Sequence, residues 1–231
     1  MEILHVGDID IEVEFKPIKN VHLAVYPPNG RVHVSAPESY TKERVEIFVR
    51  KKMVWIMEKR EELTSYDMQS EREFVSGEAH YFMGQLYRLK VIRDTKSVQH
   101  VERVGDYLTV YVRPAAEAQH IEAVLYAWYK EQVAPFIDDM VRKYGEMIGI
   151  IPEQWEVRKM QSRWGSCSMA KRKILFNIEL AKKPKECIEY VVLHEMCHLK
   201  CRTHSKDFKR MLDQYFPDWI NVKDKLNEFP L

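Results

Sequence analysis

A pair of histidines separated by three residues, with a glutamate directly after the first, constrains this chain more than any other feature of its sequence. The segment reads His194-Glu195-Met196-Cys197-His198. On an α-helix, positions i and i+4 lie on one face and one turn apart, so both imidazole rings can reach a single ion. Glu195 lies beside that face without belonging to it. The pattern therefore predicts a helix that carries two metal ligands and an adjacent general base.

A third imidazole is available six residues further along the chain. A catalytic zinc ion takes three protein ligands and keeps a fourth position open. His204 is the only other histidine after residue 150, and a turn following Lys200 would bring it to the same ion. The spacing equals that of metzincins, but Cys201 stands where metzincins have glycine. We therefore expect the turn to form without the conformational freedom of glycine.

The plainer alternative is a helix with two ordinary histidines and a salt-bridged glutamate. In a shuffled chain of this composition, roughly 0.04 matches to H-E-x-x-H are expected, and about 0.001 when the third histidine is required. The surrounding residues are apolar: Ile188, Val191, Val192, Leu193 and Met196. Burying polar groups among them without partners would cost free energy. The sequence thus favours a Zn²⁺ site with His194, His198 and His204 as ligands and Glu195 as the base.

The cysteines offer a rival set of metal ligands. There are only four, at positions 167, 187, 197 and 201, which is too few for a disulfide scaffold. Cys197 and Cys201 are also four residues apart, and thiolates bind zinc. Each helical residue advances by ~100°, so Cys197 points away from the histidine face and is expected to be a small buried residue. Cys201 stays open as a neighbour of the ion that is sensitive to oxidation.

The segments around this helix resemble a known family. They are residues 162–167 (Ser-Arg-Trp-Gly-Ser-Cys), 174–180 with Asn177, 188–195, and 204–208 with Phe208. Together they closely resemble YgjP-like metallopeptidases, a group related to SprT-like and WLM zinc proteases. The specific resemblance covers about residues 155–219, and the part before it is similar with weaker motifs. The resemblance implies a zincin-like catalytic domain with zinc on the three histidines and Glu195 as base.

The segment around Gly165 has two interpretations. In the first, the glycine lets the backbone approach a substrate, and Arg163 stabilises the oxyanion of the tetrahedral intermediate. In the second, Trp164 is a large core or wall residue and Gly165 permits a bulge. The second is favoured because tryptophan mostly packs. Arg163, Trp164 and Gly165 are nevertheless kept as candidate substrate-binding residues.

A strand is predicted at residues 173–180, where apolar side chains alternate. We expect it to be an edge strand that pairs with an extended peptide, because a free sheet edge offers main-chain hydrogen bonds. Asn177 on this strand would either touch the substrate or fix a turn. The sequence does not decide between these two roles.

Periodicity predicts an α+β chain in three parts. Residues 1–115 form a β-rich region with one helix, which Thr41 caps and which runs to about Thr64. Residues 116–150 form a long connecting helix, and residues 151–231 form the zincin-like catalytic domain. We expect the long helix to end at Gly149.

Charge and hydropathy limit the partners. The net charge is +1, which disfavours binding of a polyanion along the whole chain. Residues 151–231 carry 16 Lys+Arg against 11 Asp+Glu, an excess of five that is typical of solvated helix faces. Nucleic-acid binding is disfavoured, because no zinc ribbon or helix-turn-helix supports it. It nevertheless stays open as an alternative. No apolar run approaches the ~18–20 residues of a membrane span, and no secretory signal is evident, so a cytoplasmic location is expected.

The predicted function is zinc-dependent hydrolysis of peptide bonds in a peptide or protein substrate. Two alternatives stay open. One is a metal-dependent amidohydrolase that acts on amides other than peptides. The other is a non-catalytic binding or adaptor protein in which zinc is merely structural. The sequence indicates neither the physiological substrate nor the oligomeric state.

Overall fold

A computed structural model describes residues 2–26, 30–65, 72–95, 98–161 and 163–228. Within them the chain divides near residue 70 into two compact units, Met1–Ser70 and Glu71–Phe229, each with its own buried apolar cluster. Sequence patterns also predict a turn at residues 27–30. Of these, residues 27–29 lie outside the described residues, as does Ser162 of the family-like segment. The division at residues 115 and 150 stays a prediction.

The first unit is a four-stranded sheet with two helices. Its strands are β1 (Glu2–Val6), β2 (Ile9–Lys16), β3 (His22–Tyr26) and β4 (Arg31–Pro37), in the order β1-β2-β4-β3. Its helices are α1 (Lys42–Lys51) and α2 (Met53–Ser65). In β2, apolar and acidic residues alternate along the sequence, which is typical of a half-buried strand. Ile9, Ile11 and Val13 are buried, and the acidic residues between them are more exposed. β1, which was not predicted, pairs antiparallel with β2.

The single helix predicted from Thr41 to Thr64 is wrong, because the chain forms two helices there. Thr41 does cap α1, since its hydroxyl accepts a hydrogen bond from the Arg44 backbone N–H at 3.4 Å. Lys52 then leaves helical geometry, with φ −102° and ψ 5°. Val49 and Ile56, which lie on either side of this break, are both fully buried in one cluster. The helical spacing of apolar residues therefore continues across the break and conceals it.

The second unit begins with a mixed four-stranded sheet and a long helix. The strands are β5 (Ala79–Phe82), β6 (Gln85–Arg93), β7 (His100–Val104) and β8 (Tyr107–Val112), in the order β5-β6-β8-β7. The predicted long helix is α3 (Ala118–Ile148). Gly149 ends it in the left-handed conformation, at φ 74°, which glycine adopts at little cost.

The unit continues with a three-stranded sheet and helices. The strands are β9 (Gln154–Arg158), β10 (Gly165–Ser168) and β11 (Lys173–Asn177), in the order β10-β11-β9. A 3-10 helix (Ile178–Lys182) leads into α4 (Lys185–Cys197), α5 (Lys206–Tyr215) and α6 (Trp219–Glu228). The α+β class is confirmed. Among the helices of the described residues, none is long and apolar enough to cross a membrane.

Two expectations about the strand at 173–180 are wrong. β11 ends at Asn177, whose side chain accepts a hydrogen bond from the Glu179 backbone N–H at 3.2 Å and so caps the 3-10 helix. β11 is also the central strand, paired antiparallel with β10 and parallel with β9. Both of its edges are therefore occupied, and β10 lies at the edge of the sheet instead. Alternation of apolar residues identifies a strand, but it does not tell which neighbours pair with it.

The position of α4 sets up the site. This helix is apolar on most sides and packs against α3, α6 and β10. Its buried residues include Ile188, Val192, Leu193 and Met196. A helix held on several sides presents its histidines from a rigid support, and the contact with β10 places a strand edge directly beside Glu195.

Candidate metal centre

The three predicted histidines converge. The ring centroids of His194, His198 and His204 are 5.0, 4.9 and 4.9 Å apart, which is nearly an equilateral triangle. One ring nitrogen of each lies within 4.8 Å of the others, and the Nε2 atoms of His194 and His204 are 3.1 Å apart. In the part of the chain that the structure describes, no other three His, Cys, Asp or Glu side chains converge in this way.

A turn without glycine brings the third ring back. α4 ends at Cys197, and backbone hydrogen bonds tighten the chain after it, including Cys201 N–H to the Cys197 carbonyl at 2.9 Å. None of the residues 198–205 has a positive φ. Ser205 then caps α5 by accepting a hydrogen bond from the Phe208 backbone N–H at 3.4 Å. The turn predicted to return His204 is thus made in ordinary conformations, as expected from the cysteine in place of glycine at position 201.

Hydrogen bonds to the far ring nitrogens orient two of the imidazoles. His198 Nδ1 lies 2.9 Å from the Cys201 carbonyl oxygen. A carbonyl only accepts, so Nδ1 carries the proton and the lone pair is on Nε2. The Tyr190 hydroxyl lies 3.3 Å from His194 Nδ1, where its oxygen can accept in the same manner. Burial and the neighbouring histidines lower the pKa of His194 to about 4, so this ring is neutral at pH 7. Neutral rings with converging lone pairs fit a divalent metal ion.

A buried phenylalanine forms the floor of the triangle. The Phe208 ring centroid lies 5.0, 4.7 and 4.7 Å from those of His194, His198 and His204. Only 2% of Phe208 is exposed, so it keeps solvent from the underside of the rings. Sequence reasoning gave no role to Phe208 or to Tyr190. The available signal was helical spacing, since Tyr190 precedes His194 by four residues and Phe208 follows His204 by four.

The carboxyl group of Glu195 is buried beside the histidine cluster. It is 6% exposed, and in the described residues it makes neither a hydrogen bond nor an ion pair. Burial raises its pKa to about 7, and the positive charge of Arg163 opposes this rise. Gly165 on β10 lies so close that a Cβ atom there would be 2.6 Å from Glu195 Cγ. Burying a carboxyl group without a partner costs folding free energy, which makes Glu195 a candidate functional residue.

A cavity of about 690 Å³ lies beside the histidines. β10 forms one wall, and Glu195, His198 and His204 lie on the other side. Of the predicted site residues, Arg163 and Gly165 also line it, whereas His194 lines an adjoining cavity that shares His204. The structure thus brings the catalytic and metal-ligating candidates together with two of the four candidate substrate-binding residues.

Trp164 and Asn177 line neither cavity. The Trp164 ring is half-buried against the core, with Lys183 Nζ at 5.0 Å from its centroid. Asn177 is 5% exposed, and its amide donates to the carbonyl oxygens of Met160 at 3.1 Å and Arg163 at 2.9 Å. Its side-chain oxygen also accepts from the backbone, so its hydrogen-bonding groups are engaged within the chain.

The cysteines do not join the histidine cluster. Cys197 is fully buried, as expected, and burial raises its pKa to about 12. Cys201 contributes its backbone carbonyl to His198. Cys167, which the sequence does not distinguish from an ordinary core or surface thiol, lies in the cavity wall. Burial, with the charge of Glu195 as a second cause, raises the pKa of Cys167 to about 11, so it stays a thiol at neutral pH.

The family of this chain follows from comparison with known proteins. Among solved structures, the metallopeptidase zymogen abylysin of Pyrococcus abyssi is 21% identical (TM-score 0.37) and aligns over 39% of this chain and 90% of its own. The zymogen jannalysin of Methanocaldococcus jannaschii is 23% identical (TM-score 0.36) and aligns over 39% of this chain and 86% of its own. A search of curated proteins found no significant match. A model of the YgjP-like metallopeptidase domain matches residues 19–229, which is most of the chain. The chain therefore belongs to the YgjP-like metallopeptidase family.

Proposed function

We propose that this metallopeptidase uses zinc, that His194, His198 and His204 bind the ion, and that Glu195 moves the proton during peptide hydrolysis. One observation supports this most directly: a buried carboxylate, with no hydrogen bond or ion pair among the described residues, lies beside three converged imidazoles at the wall of an open cavity. Three nitrogen ligands are the set that a catalytic zinc site uses. A structural site would be closed by a fourth protein ligand, and the described residues supply no fourth donor to this cluster.

The residues around the histidines have separate roles in the proposed reaction. When bound, zinc supplies Lewis acidity that polarises a carbonyl and makes water a better nucleophile. Glu195 accepts a proton from the attacking water and passes it to the leaving amine, and its burial keeps it basic enough to do so. β10, at the edge of its sheet, replaces β11 as the strand that pairs with an extended substrate. Arg163 faces the same cavity and stabilises negative charge on the substrate. Asn177 and Trp164 have structural roles, in fixing a turn and in packing.

A library assay tests the proposal against its alternatives. The zinc-loaded protein is incubated with a mixed peptide library, and new termini are identified by mass spectrometry. Chromogenic amides that lack a peptide bond are assayed in parallel. Peptide cleavage is the expected result. Turnover of the amides alone would favour an amidohydrolase. No turnover, together with loss of folded structure on removal of the metal, would favour a structural zinc site.

We expect Tyr190→Phe to weaken zinc binding by about ten-fold, because the hydroxyl that orients His194 is lost. The aromatic ring and its packing are retained. Affinity is measured by competition with a chromophoric chelator. Tyr215→Phe is the matched control, since the Tyr215 hydroxyl donates to the Met147 carbonyl at 3.0 Å, outside the histidine cluster. Equal zinc affinity in wild type and Tyr190→Phe would show that the hydroxyl does not support His194.

We expect Gly165→Ala to lower kcat/KM by about 100-fold, because the added methyl group forces Glu195 to move and misplacement by about 1 Å has effects of this size. Zinc content should stay unchanged, since the atoms nearest to the added methyl group belong to Glu195 and not to a histidine. If the effect acts through the carboxylate, adding Gly165→Ala to a Glu195→Gln protein should change activity little. A Gly165→Ala enzyme within two-fold of wild type would contradict the close contact.

The pH dependence of stability provides a separate check on Glu195. Its pKa in the folded, metal-free protein is about 7, above the ordinary 4.5. The contribution of this group to stability is therefore fully present below pH 4.5 and is lost as pH rises through 7. The free energy of unfolding should fall by roughly 3 kcal/mol over this range, since each pKa unit corresponds to about 1.4 kcal/mol. In urea unfolding of metal-free protein, Glu195→Gln should gain this stability relative to wild type between pH 4.5 and 8. Parallel stability curves would rule out the raised pKa.

A further inference from the structure

Four exposed cations surround the two cavities at the histidine cluster. Arg163 and Arg202 line the larger cavity, and Lys209 and Lys223 line the smaller one. We refer to these four residues as the cationic rim. The only acidic residue in either lining is Glu195, which is buried. The surface that a substrate meets is therefore positively charged on both sides of the histidines.

The cationic rim is not neutralised within the described residues. None of its four members forms an ion pair there, although exposed cations elsewhere do, such as Lys42 with Glu2 and Arg210 with Asp207. The nearby carboxylates have other roles: Asp207 accepts from Arg210 at 3.0 Å, and Asp213 accepts from the Trp219 indole at 2.7 Å. Asp224, beside Lys223, acts electrostatically on Tyr190. Lys209 and Lys223 line the smaller cavity together with His194 and His204, so their charges lie beside the histidine cluster.

The smaller cavity adds an apolar element. Its volume is about 190 Å³. Apart from the two lysines, its walls are Tyr190, His194, His204, Phe208, Leu212 and Trp219. Pockets for drug-sized ligands span ~300–1,000 Å³, so a cavity of this size suits one side chain. Because it shares His204 with the larger cavity, a chain bound across the histidines can place one side chain in it.

We infer that the preferred substrates are acidic peptide segments, in which a bulky apolar side chain next to the scissile bond fills the smaller cavity and flanking carboxylates pair with the cationic rim. This inference rests on the proposed function. Complementary charge raises the rate at which two partners meet and favours one partner over another. The cationic rim beside the histidines therefore favours an anionic peptide. An acidic peptide is favoured over nucleic acid because the chain as a whole is nearly neutral, with a net charge of +1, whereas affinity for nucleic acid depends on neutralising many phosphates.

Two matched peptides test the inference. Both carry the same bulky apolar residue at the cleavage site, and one has Asp and Glu around it where the other has Asn and Gln. For zinc-loaded wild type at low salt, kcat/KM should be on the order of ten-fold higher for the acidic peptide. The preference should shrink near 1 M salt, where screening acts within about 3 Å.

Variants assign the preference to the rim. In the double variant Lys209→Ala with Lys223→Ala, the ratio of kcat/KM for the acidic and neutral peptides should fall about five-fold, as expected for loss of exposed charge pairs. Lys90→Ala is the matched control, because Lys90 on β6 is equally exposed and lines neither cavity. The ratio in this variant should equal that of wild type. Zinc content and circular dichroism verify that each variant is folded and loaded.

The outcomes separate this inference from the proposed function. Equal cleavage of the two peptides by wild type would overturn the inference and leave the peptidase intact. An unchanged ratio in the lysine double variant would also overturn it. A single-stranded oligonucleotide of equal charge that competes more strongly than the acidic peptide would replace it with nucleic-acid binding. Cleavage of no peptide under any condition would overturn the proposed function and this inference together.

Discussion

Glu195→Gln is expected to lower kcat/KM for a cleavable peptide by about 10²–10⁴-fold while the protein keeps its metal. Glutamine has nearly the same shape as glutamate, but its amide does not accept a proton at neutral pH. Glu195 does not belong to the cluster of His194, His198 and His204, so metal binding should be retained. The measurement combines peptide cleavage with metal analysis of the same preparations.

The control for this variant is Glu195→Asp, which keeps the carboxyl group and shortens its reach. It should retain more activity than Glu195→Gln if proton transfer is the role of Glu195. Activity of Glu195→Gln equal to that of wild type, at equal metal content, would remove Glu195 from the proposed mechanism. Loss of metal from Glu195→Gln would instead indicate that the carboxylate is a ligand.

His204→Ala is expected to abolish peptide cleavage at zinc concentrations that saturate the wild type. One of three ligands is removed, so zinc affinity should fall by more than the ~10–100-fold that follows loss of a supporting hydrogen bond. His204 is exposed, whereas His194 and His198 lie on the partly buried end of α4. The variant should therefore remain folded, as circular dichroism will show. Zinc affinity is measured by chelator competition.

Removal of the metal from wild type provides the matching test. A chelator should abolish cleavage, and added zinc should restore it in wild type but not in His204→Ala at the same concentration. His22→Ala is the control, because His22 is an exposed histidine on β3 outside the cluster. Full activity of His204→Ala at the wild-type zinc requirement would remove His204 from the ligand set. Unfolding of His204→Ala would favour a structural zinc site.

Local patterns predicted the parts of the site that depend on one helix. The spacing of His194 and His198 on α4 follows directly from 3.6 residues per turn. The return of His204 followed from the number of ligands that zinc requires, and the structure places its ring beside the other two. The long helix α3 and its end at Gly149 were also predicted from local signals. These features share one property, since each depends on residues that are close in sequence.

Contacts between distant segments were not predictable in this way. The expectation that the strand at 173–180 is an edge strand was wrong, because strand pairing depends on which segments meet, and alternation gives only the buried face. The break at Lys52 was missed because the apolar spacing continues across it. The roles of Tyr190 and Phe208 became visible only once α4 and α5 were placed side by side.

The sequence alone therefore determined the chemistry: which imidazoles are available, at what spacing, and which carboxylate accompanies them. Those properties are carried by side-chain type and helical period, which are local. Only the tertiary structure decided that Gly165 lies against Glu195, that β10 rather than β11 borders the larger cavity, and that four exposed cations line the two cavities at the histidine cluster. Each of these depends on packing between segments tens of residues apart. Burial and charge environment arise only when those segments come together.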